Sequence, residues 1–267
     1  MDISRLFSLE GRVALVTGGS RGIGRMITEG FLAAGCARVY ITARKVAEVE
    51  ATAAELGERC IAIPGDIGNM AGIEALVAEL TAREERLDIL VNNAGIAWGA
   101  SFDSFPEGGW DKVMDLNVKT PFFLTQKLHA LLRAGASAEQ PAKVIMIASV
   151  DGMKLNPWET YPYQASKAAL IHLTRRMAAR LAGEQIAVTA ISPGMFASKM
   201  NRAADHAPEK MAAQIPIGRG GHDEDMAAAA IYLASRAGDY VVGETLTVDG
   251  GWVNAWMPRD FVSADGV

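Results

Sequence analysis

Tyr163 and Lys167 are a pair of residues whose types and spacing could do chemistry. They are four positions apart, so on a helix they would lie on one face, one turn from each other. A free phenol has a pKa near ~10, and a neighbouring ammonium group lowers that pKa by stabilising the phenolate. Such a pair can exchange a proton with a substrate oxygen. Alone the pair is weak evidence, because many helices carry Tyr and Lys at this spacing by chance.

Ser149 follows an apolar run, Lys143–Ala148, that is typical of a buried strand. It therefore falls at the carboxyl edge of the predicted sheet, where doubly wound folds bind their ligands. A serine hydroxyl there can hydrogen-bond a substrate oxygen while Tyr163 protonates the alkoxide formed as hydride arrives. Ser149, Tyr163 and Lys167 together favour the interconversion of a carbonyl compound and an alcohol.

A glycine-rich turn, Thr17–Gly24, separates the first apolar run from a helical pattern. Its glycines stand at Gly18, Gly22 and Gly24, which is not the GxGxxG spacing of long-chain dehydrogenases, and it lacks the GK[ST] of a P-loop. Glycines let the backbone approach a pyrophosphate, and a helix N-terminus supplies free N–H groups. A tight structural turn is the alternative interpretation, but the position between strand and helix favours a dinucleotide site.

The end of the second predicted strand indicates which dinucleotide is bound. NAD enzymes place an acid there, ~20 residues after the glycines, to accept from the ribose 2′-hydroxyl. This sequence reads Ile41–Lys45 at that point, and no acid appears before Glu48. Arg44, together with Arg21 of the glycine turn, could instead pair with a 2′-phosphate. We therefore predict NADP(H), with two solvated surface arginines as the alternative.

Short apolar runs alternate with helical patterns along the whole chain. The predicted strands are Arg12–Thr17, Arg38–Thr42, Cys60–Ile63, Leu87–Asn92, Lys143–Ala148, Ile186–Ile191 and Thr245–Val248. The predicted helices are Gly22–Ala34, Val46–Leu56, Met70–Arg83, Val118–Arg133, Tyr163–Ala182 and Glu224–Ser235. This alternation predicts an α/β fold: a doubly wound, Rossmann-type, mostly parallel seven-stranded sheet with helices on both faces.

Length and composition limit the remaining classes of protein. We predict that the 267 residues form one dinucleotide-binding and catalytic domain, with residues 254–267 as a C-terminal tail. The net charge of −5 argues against nucleic acid as a partner, and the apolar runs are too short to span a membrane. Two isolated cysteines, Cys36 and Cys60, and no secretory signal favour a reducing, cytoplasmic location. The four histidines lack metal-ligand spacing, so no metal is predicted.

These motifs, in this order, resemble the short-chain dehydrogenase/reductase family from Leu9 to about Trp252. The matching motifs are Thr17–Gly24, Asp66, Asn92–Gly95, Asn117, Ser149, Tyr163–Lys167, Pro193–Gly194 and Val248–Gly251. The resemblance implies that Asn117 joins Ser149, Tyr163 and Lys167 in catalysis, holding a water that links Lys167 to solvent. It also implies a homotetramer. Within the family, the loop Ala134–Pro141 and the segment Pro193–Met200 resemble bacterial 3-oxoacyl reductases, including the rhamnolipid-linked branch.

The resemblance further implies how the cofactor is held. The implied cofactor-binding residues are Gly18, Ser20, Arg21, Gly22, Ile23, Gly24, Arg44, Asp66, Ile67, Asn93, Ala94, Gly95, Tyr163, Lys167, Pro193, Gly194, Phe196 and Ser198. Asp66 and Ile67 would hold the adenine end, and residues 93–95 would line the ribose. Pro193, Gly194, Phe196 and Ser198 would hold the nicotinamide.

Segments that flank these motifs should form the substrate walls. We expect contributions from Trp98, Met153, Trp158 and Met195. This mixed set suits a medium-sized, partly apolar carbonyl compound, a class that includes acyl thioesters. The main hypothesis is an NADP(H)-dependent ketoreductase of 3-oxoacyl type. Alternatives are a sugar, polyol or cyclic-alcohol dehydrogenase that uses NAD(H), and a non-catalytic nucleotide-binding regulator. The last leaves Tyr163 without a chemical purpose.

Overall fold

One seven-stranded sheet runs through the computed structural model, which describes residues 1–197, 209 and 212–256. The strands are β1 (Val13–Thr17), β2 (Arg38–Thr42), β3 (Cys60–Ala62), β4 (Ile89–Asn92), β5 (Ala142–Ile147), β6 (Ile186–Pro193) and β7 (Thr245–Val248). Their order is β3-β2-β1-β4-β5-β6-β7, and every neighbouring pair is parallel. The predicted doubly wound α/β fold is confirmed.

Helices cover both faces of this sheet. They are α1 (Ile3–Phe7), α2 (Gly22–Ala33), α3 (Val46–Leu56), α4 (Met70–Arg83), α5 (Glu107–Met114), α6 (Thr120–Lys127), α7 (His129–Ala134), α8 (Tyr161–Leu181) and α9 (Asp223–Ala234). Successive strand residues enter opposite cores, as Leu15 and Val16 do in β1. One core includes residues of α4, α6, α7 and α8, and the other includes residues of α2, α3 and α9.

Two predictions about helices near the site were wrong: one helix was not predicted, and two separate helices were predicted as one. Helix α5 was not predicted, because Gly108 and Gly109 weaken its helical pattern. A π-helical turn, Asp115–Lys119, connects α5 to α6. The single helix predicted over Val118–Arg133 is in fact α6 and α7, which are separated at Leu128.

The order of the strands determines where a ligand can lie. The chain winds outward from β1 through β2 to β3, then returns to the other side of β1 with β4 and continues to β7. The switch point is therefore between β1 and β4, and ligands of such sheets bind at the carboxyl ends of the strands there. Among the helices of the described ranges, none is long and apolar enough to cross a membrane.

Candidate active site

The glycine-rich turn leaves β1 at this switch point. Gly18 and Gly22 have left-handed backbones, with φ of 66° and 50°, and the Gly18 N–H donates to the Thr42 carbonyl at 2.7 Å. A Cβ on Gly24 would overlap the Gly18 carbonyl oxygen and lie 2.5 Å from the Asn93 side-chain nitrogen. A side chain is therefore excluded at position 24, and α2 begins at Gly22 with its first N–H groups at the turn. This cradle fits the pyrophosphate of a dinucleotide.

Thr17, the last residue of β1, attaches the neighbouring strand end to the turn. Its hydroxyl accepts the N–H groups of Asn93 and Ala94, each at 2.9 Å, and donates to the Val91 carbonyl at 3.2 Å. The Asn93 side chain donates to the Thr17 carbonyl at 2.8 Å. Thr17 belongs to the glycine-rich motif, but these bonds to the end of β4 were not predicted from the sequence.

Glu48 lies at the place where the sequence predicted a phosphate clamp. Its carboxylate accepts from the Ser20 hydroxyl at 3.3 Å and lies 3.5 Å from Arg21 Nη1 and 3.7 Å from Lys45 Nζ. Arg21 and Arg44 are both exposed, as a clamp for a bound phosphate requires. Both arginines were predicted here from the sequence, whereas Glu48 was noted only as the first acid after the second strand. The first turn of α3 brings it back against the glycine turn.

The predicted adenine-end residues follow β3. Asp66 is exposed, and its carboxylate accepts the Gly68 N–H at 3.0 Å. Ile67 is buried, and its carbonyl accepts the Thr120 hydroxyl at 2.8 Å. The start of α6 thereby holds the turn between β3 and α4 in place.

Lys167 is buried at the centre of the predicted catalytic group. Its ammonium donates to the carbonyl of Ile147, the last residue of β5, at 2.7 Å. It lies 5.6 Å from the centroid of the Tyr163 ring on the same helix. A Cβ on Gly95 would lie 3.7 Å from Lys167 Nζ and 3.1 Å from Asn117 Oδ1. The structure therefore brings Gly95, Asn117, Tyr163 and Lys167 together.

Asn117 belongs to the π-helical turn and is 1% exposed. Its side chain accepts the Ile96 N–H at 3.0 Å, donates to the Ile96 carbonyl at 2.9 Å and donates to the Ser166 hydroxyl at 3.0 Å. Ser166 in turn donates to the Tyr163 carbonyl at 2.7 Å. π turns inside helices occur frequently at functional sites. Here the turn connects the loop after β4 to the helix that carries Tyr163.

The pKa values of Tyr163 and Lys167 differ from the expectation that Lys167 lowers the pKa of the Tyr163 phenol. Burial raises the pKa of Tyr163 to about 12; the Ser149 hydroxyl opposes this rise and the Asp151 carboxylate adds to it. Burial lowers the pKa of Lys167 to about 8, against the opposite effect of Asp151. The expectation is wrong for the protein on its own, because burial dominates both groups.

Ser149 and Asp151 begin the segment after β5. The Ser149 hydroxyl accepts the Asp151 N–H at 3.1 Å, as the cap of a short 3₁₀ turn. Burial raises the pKa of the Asp151 carboxyl, while the Asn156 side chain and Lys167 lower it. No function in proton transfer was predicted for Asp151 from the sequence. The Asp151 carboxylate raises the pKa values of both Tyr163 and Lys167 through its charge.

The predicted nicotinamide-holding residues follow β6. The Gly194 N–H donates to the Val248 carbonyl at 2.9 Å, and a Cβ on Gly194 would lie 2.7 Å from the Asp249 Cα. The Phe196 ring packs into the core against Gly221, so only its backbone can face a ligand. Ser198, also predicted here, lies outside the described residues.

The predicted substrate residues lie on three separate segments, which follow β4, β5 and β6. The Trp98 ring packs over Gly109 of α5, while Met153 and Trp158 are exposed and Met195 is half-buried. The Ala100 N–H donates to the Glu159 carbonyl at 3.2 Å, which joins the loop after β4 to the loop before α8.

A second contact between loops at this end of the sheet was not predicted from the sequence. Lys154 donates to the Trp252 carbonyl at 3.1 Å and lies 4.8 Å and 4.3 Å from the ring centroids of Trp252 and Trp256. This cation–π cluster joins the residues after β7 to the segment after β5. Within the described ranges, no group of three or more His, Cys, Asp or Glu residues could hold a metal ion.

The fold and this arrangement of residues define the class of dinucleotide-dependent oxidoreductases. A family model described as "Enoyl-(Acyl carrier protein) reductase" matches residues 18–253. The chain belongs to the short-chain dehydrogenase/reductase family.

Two relatives and one solved structure illustrate the similarity. The chain is 50% identical over 251 residues to the rhamnolipids biosynthesis 3-oxoacyl-[acyl-carrier-protein] reductase of Pseudomonas aeruginosa, covering 92% of this chain and 98% of the relative. It is 36% identical to the 2-dehydro-3-deoxy-D-gluconate 5-dehydrogenase of Dickeya dadantii, covering 94% and 99%. The solved Pseudomonas aeruginosa RhlG/NADP active-site complex matches with a TM-score of 0.89 and 49% identity, covering 93% and 98%.

Proposed function

We propose that the protein is an NADP(H)-dependent oxidoreductase that interconverts a ketone of 3-oxoacyl type, or of similar size, and a secondary alcohol. The observation that carries this proposal is the meeting of Asn117, Tyr163 and Lys167 beside the glycine turn at the sheet's switch point. When bound, NADPH supplies the hydride that adds to the carbonyl carbon.

Tyr163 acts as the acid in the reduction. Its raised pKa keeps the phenol protonated at neutral pH, so it can give its proton to the substrate oxygen as the carbon is reduced. Ser149 donates a hydrogen bond to the same oxygen. Lys167, whose pKa of about 8 lies close to neutral pH, returns a proton toward Tyr163. Asn117 connects this path to solvent.

The cofactor residues are proposed from their positions around the cradle, except Ser198, which lies outside the described residues and is proposed from the family resemblance alone. Gly18, Ser20, Gly22, Ile23 and Gly24 hold the pyrophosphate. Arg21 and Arg44 pair with the 2′-phosphate. The remaining proposed contacts are Asp66, Ile67, Asn93, Ala94, Gly95, Tyr163, Lys167, Pro193, Gly194, the Phe196 backbone and Ser198. The relative solved with NADP supports the choice of cofactor.

Replacing Tyr163 with Phe tests the mechanism. Tyr163→Phe removes the transferable proton and should lower kcat by at least ~100-fold, while the NADPH Kd changes little. Tyr161→Phe is a matched control, because Tyr161 is exposed two positions earlier on the same helix and should keep full activity. Turnover by Tyr163→Phe at the wild-type rate would show that the assigned mechanism is wrong.

Cofactor choice is tested by comparing kcat/KM for NADPH and NADH. Wild type should prefer NADPH, and Arg44→Asp should reverse that preference because a carboxylate repels the 2′-phosphate and accepts from a ribose 2′-hydroxyl. Arg5→Asp, which alters an exposed arginine of α1, should leave the preference unchanged. A wild-type preference for NADH would contradict the phosphate clamp.

A second candidate function is a sugar-acid dehydrogenase, favoured by the 36% identity to the gluconate-type relative. Both candidates use the same proton transfer but differ in the substrate that the residues around Tyr163 admit. A screen of 3-oxoacyl thioesters, cyclic ketones and 2-dehydro-3-deoxy-gluconate, with kcat/KM as the measure, separates them. The highest value should belong to a 3-oxoacyl thioester.

We also propose a cytoplasmic homotetramer with no nucleic-acid partner. The two thiols support a reducing compartment: Cys36 and Cys60 are buried, and burial raises their pKa values to about 12 and about 11. Light scattering after gel filtration should give the mass of four 28.4 kDa chains. A monomer mass would contradict the tetramer.

A further inference from the structure

We propose that Glu48 is a selectivity residue that competes with the 2′-phosphate of NADP(H) for Arg21 and Lys45. This inference rests on the proposed use of NADP(H), but it concerns a residue to which neither the motifs nor the fold assign a function. It follows from the contacts of the Glu48 carboxylate.

The Glu48 carboxylate has partners that a phosphate would also take. One oxygen accepts from the Ser20 hydroxyl at 3.3 Å and lies 3.5 Å from the Arg21 guanidinium. The other lies 3.7 Å from the Lys45 ammonium. Hydroxyl, guanidinium and ammonium groups are the donors that bind phosphate oxygens in proteins. An internal anion therefore already engages two of the cations at this end of the cofactor site.

The backbone around Glu48 is fixed against the glycine turn. The Thr52 hydroxyl is within hydrogen-bonding distance of the Glu48 carbonyl, at 2.9 Å, and of the Ser20 carbonyl, at 3.1 Å. Glu48 also lies in the first turn of α3, where a carboxylate is stabilised by the helix dipole. Helix α3 cannot shift away without breaking these contacts. A bound 2′-phosphate must therefore displace the carboxylate side chain alone.

Arg44 differs from Arg21 and Lys45 in this respect. Among the described residues, no carboxylate lies within ion-pair distance of Arg44, whereas Arg21 and Lys45 share Glu48. The 2′-phosphate can pair with Arg44 without displacing anything, but its pairing with Arg21 replaces an existing contact. Glu48 consequently lowers the preference for NADP(H) over NAD(H) below what the three cations alone would produce.

Glu48→Gln tests this inference by cofactor binding, with no substrate present. Gln is nearly isosteric and keeps an acceptor for Ser20, but it carries no charge. Because the Arg21 and Lys45 pairs are partly solvated, we expect a modest effect: the NADPH Kd falls about threefold. The NADH Kd should change by less than about 1.5-fold. Nicotinamide fluorescence titration measures both constants, and a thermal melt checks that the variant is folded.

Glu50→Gln is the matched control, because Glu50 is an exposed carboxylate two positions along the same helix. It should leave both dissociation constants unchanged. An equal gain in Glu50→Gln would mean that only net charge matters, and the inference would be wrong. A weaker NADPH affinity in Glu48→Gln would also overturn it, because it would mean that Glu48 positions Arg21 for the cofactor.

A double-mutant cycle with Arg21→Met isolates the competition. If Glu48 acts by occupying Arg21, the gain from Glu48→Gln should fall by more than half in the Arg21→Met background. An undiminished gain would refute the competition for Arg21. Glu48→Ala, which removes the acceptor as well, should show the same direction of change. Failure of wild type to bind NADPH would instead contradict the proposed function, so the two failures are distinguishable.

Discussion

Asn117→Ala should both destabilise the protein and slow the reaction. The substitution removes three hydrogen bonds: two with the backbone of Ile96 and one with Ser166. A buried hydrogen bond contributes about 1 kcal/mol net, so the free energy of unfolding should fall by about 3 kcal/mol. For a chain of this size that corresponds to a Tm lowered by about 6 to 12 °C.

Urea unfolding followed by circular dichroism measures this loss, and kcat at 25 °C measures the effect on turnover of the folded enzyme. Ser166→Ala is the graded comparison: it removes the contact with Asn117 but leaves both Ile96 bonds, so it should cost about 1 to 2 kcal/mol. A loss below about 1 kcal/mol in Asn117→Ala would refute the claim that this side chain holds the π turn against the loop after β4. A full loss of stability with unchanged kcat would refute only its function in proton transfer.

Two further predictions concern the cofactor turn and the charge of the site. Gly24→Ala should raise the NADPH Kd, measured by fluorescence titration, at least ~10-fold, because the new Cβ overlaps the Gly18 carbonyl. Gly183→Ala should leave the Kd unchanged, because a Cβ there meets nothing within 4 Å. Equal effects of the two variants would contradict the argument that the cofactor approaches the backbone closely at Gly24. Asp151→Asn should move the acid limb of kcat/KM for alcohol oxidation to lower pH, since the carboxylate raises the pKa values of Tyr163 and Lys167; an unmoved limb would show that Asp151 does not act on them.

The placement of much of the candidate catalytic group could be predicted from the sequence, because it depends on local geometry. Tyr163 and Lys167 lie one turn apart on any helix, and Ser149 falls at the sheet edge as soon as β5 is identified. The Gly18–Gly24 spacing similarly predicts a turn that only glycine can form. Strand assignment and residue spacing were sufficient for these positions.

Other features depend on contacts between distant segments and could not be predicted. The π turn has no local pattern of its own, since Asn117 turns inward to bond Ile96, 21 residues earlier in the chain. Glu48 contacts Arg21 only because the start of α3 lies against the glycine turn, where the Thr52 hydroxyl meets the Ser20 carbonyl. The Phe196 ring turns into the core against Gly221, although the segment as a whole follows β6 into the site. In each case the deciding partner is remote in sequence.

Among the described residues, the group around Tyr163 and Lys167 is held by hydrogen bonds to backbone groups and to the Ser166 hydroxyl, and this has an electrostatic consequence for Lys167. The Lys167 ammonium is fixed by the Ile147 carbonyl, a neutral acceptor, so its charge is not cancelled where it is held. Burial then lowers its pKa toward neutral pH, and Asp151 opposes that change. A buried ammonium bonded to a carboxylate would stay protonated and could not pass on its proton. In the proposed mechanism, this neutral acceptor, with the Asp151 carboxylate acting through space, leaves Lys167 able to lose and regain a proton in the pH range where Tyr163 is reprotonated.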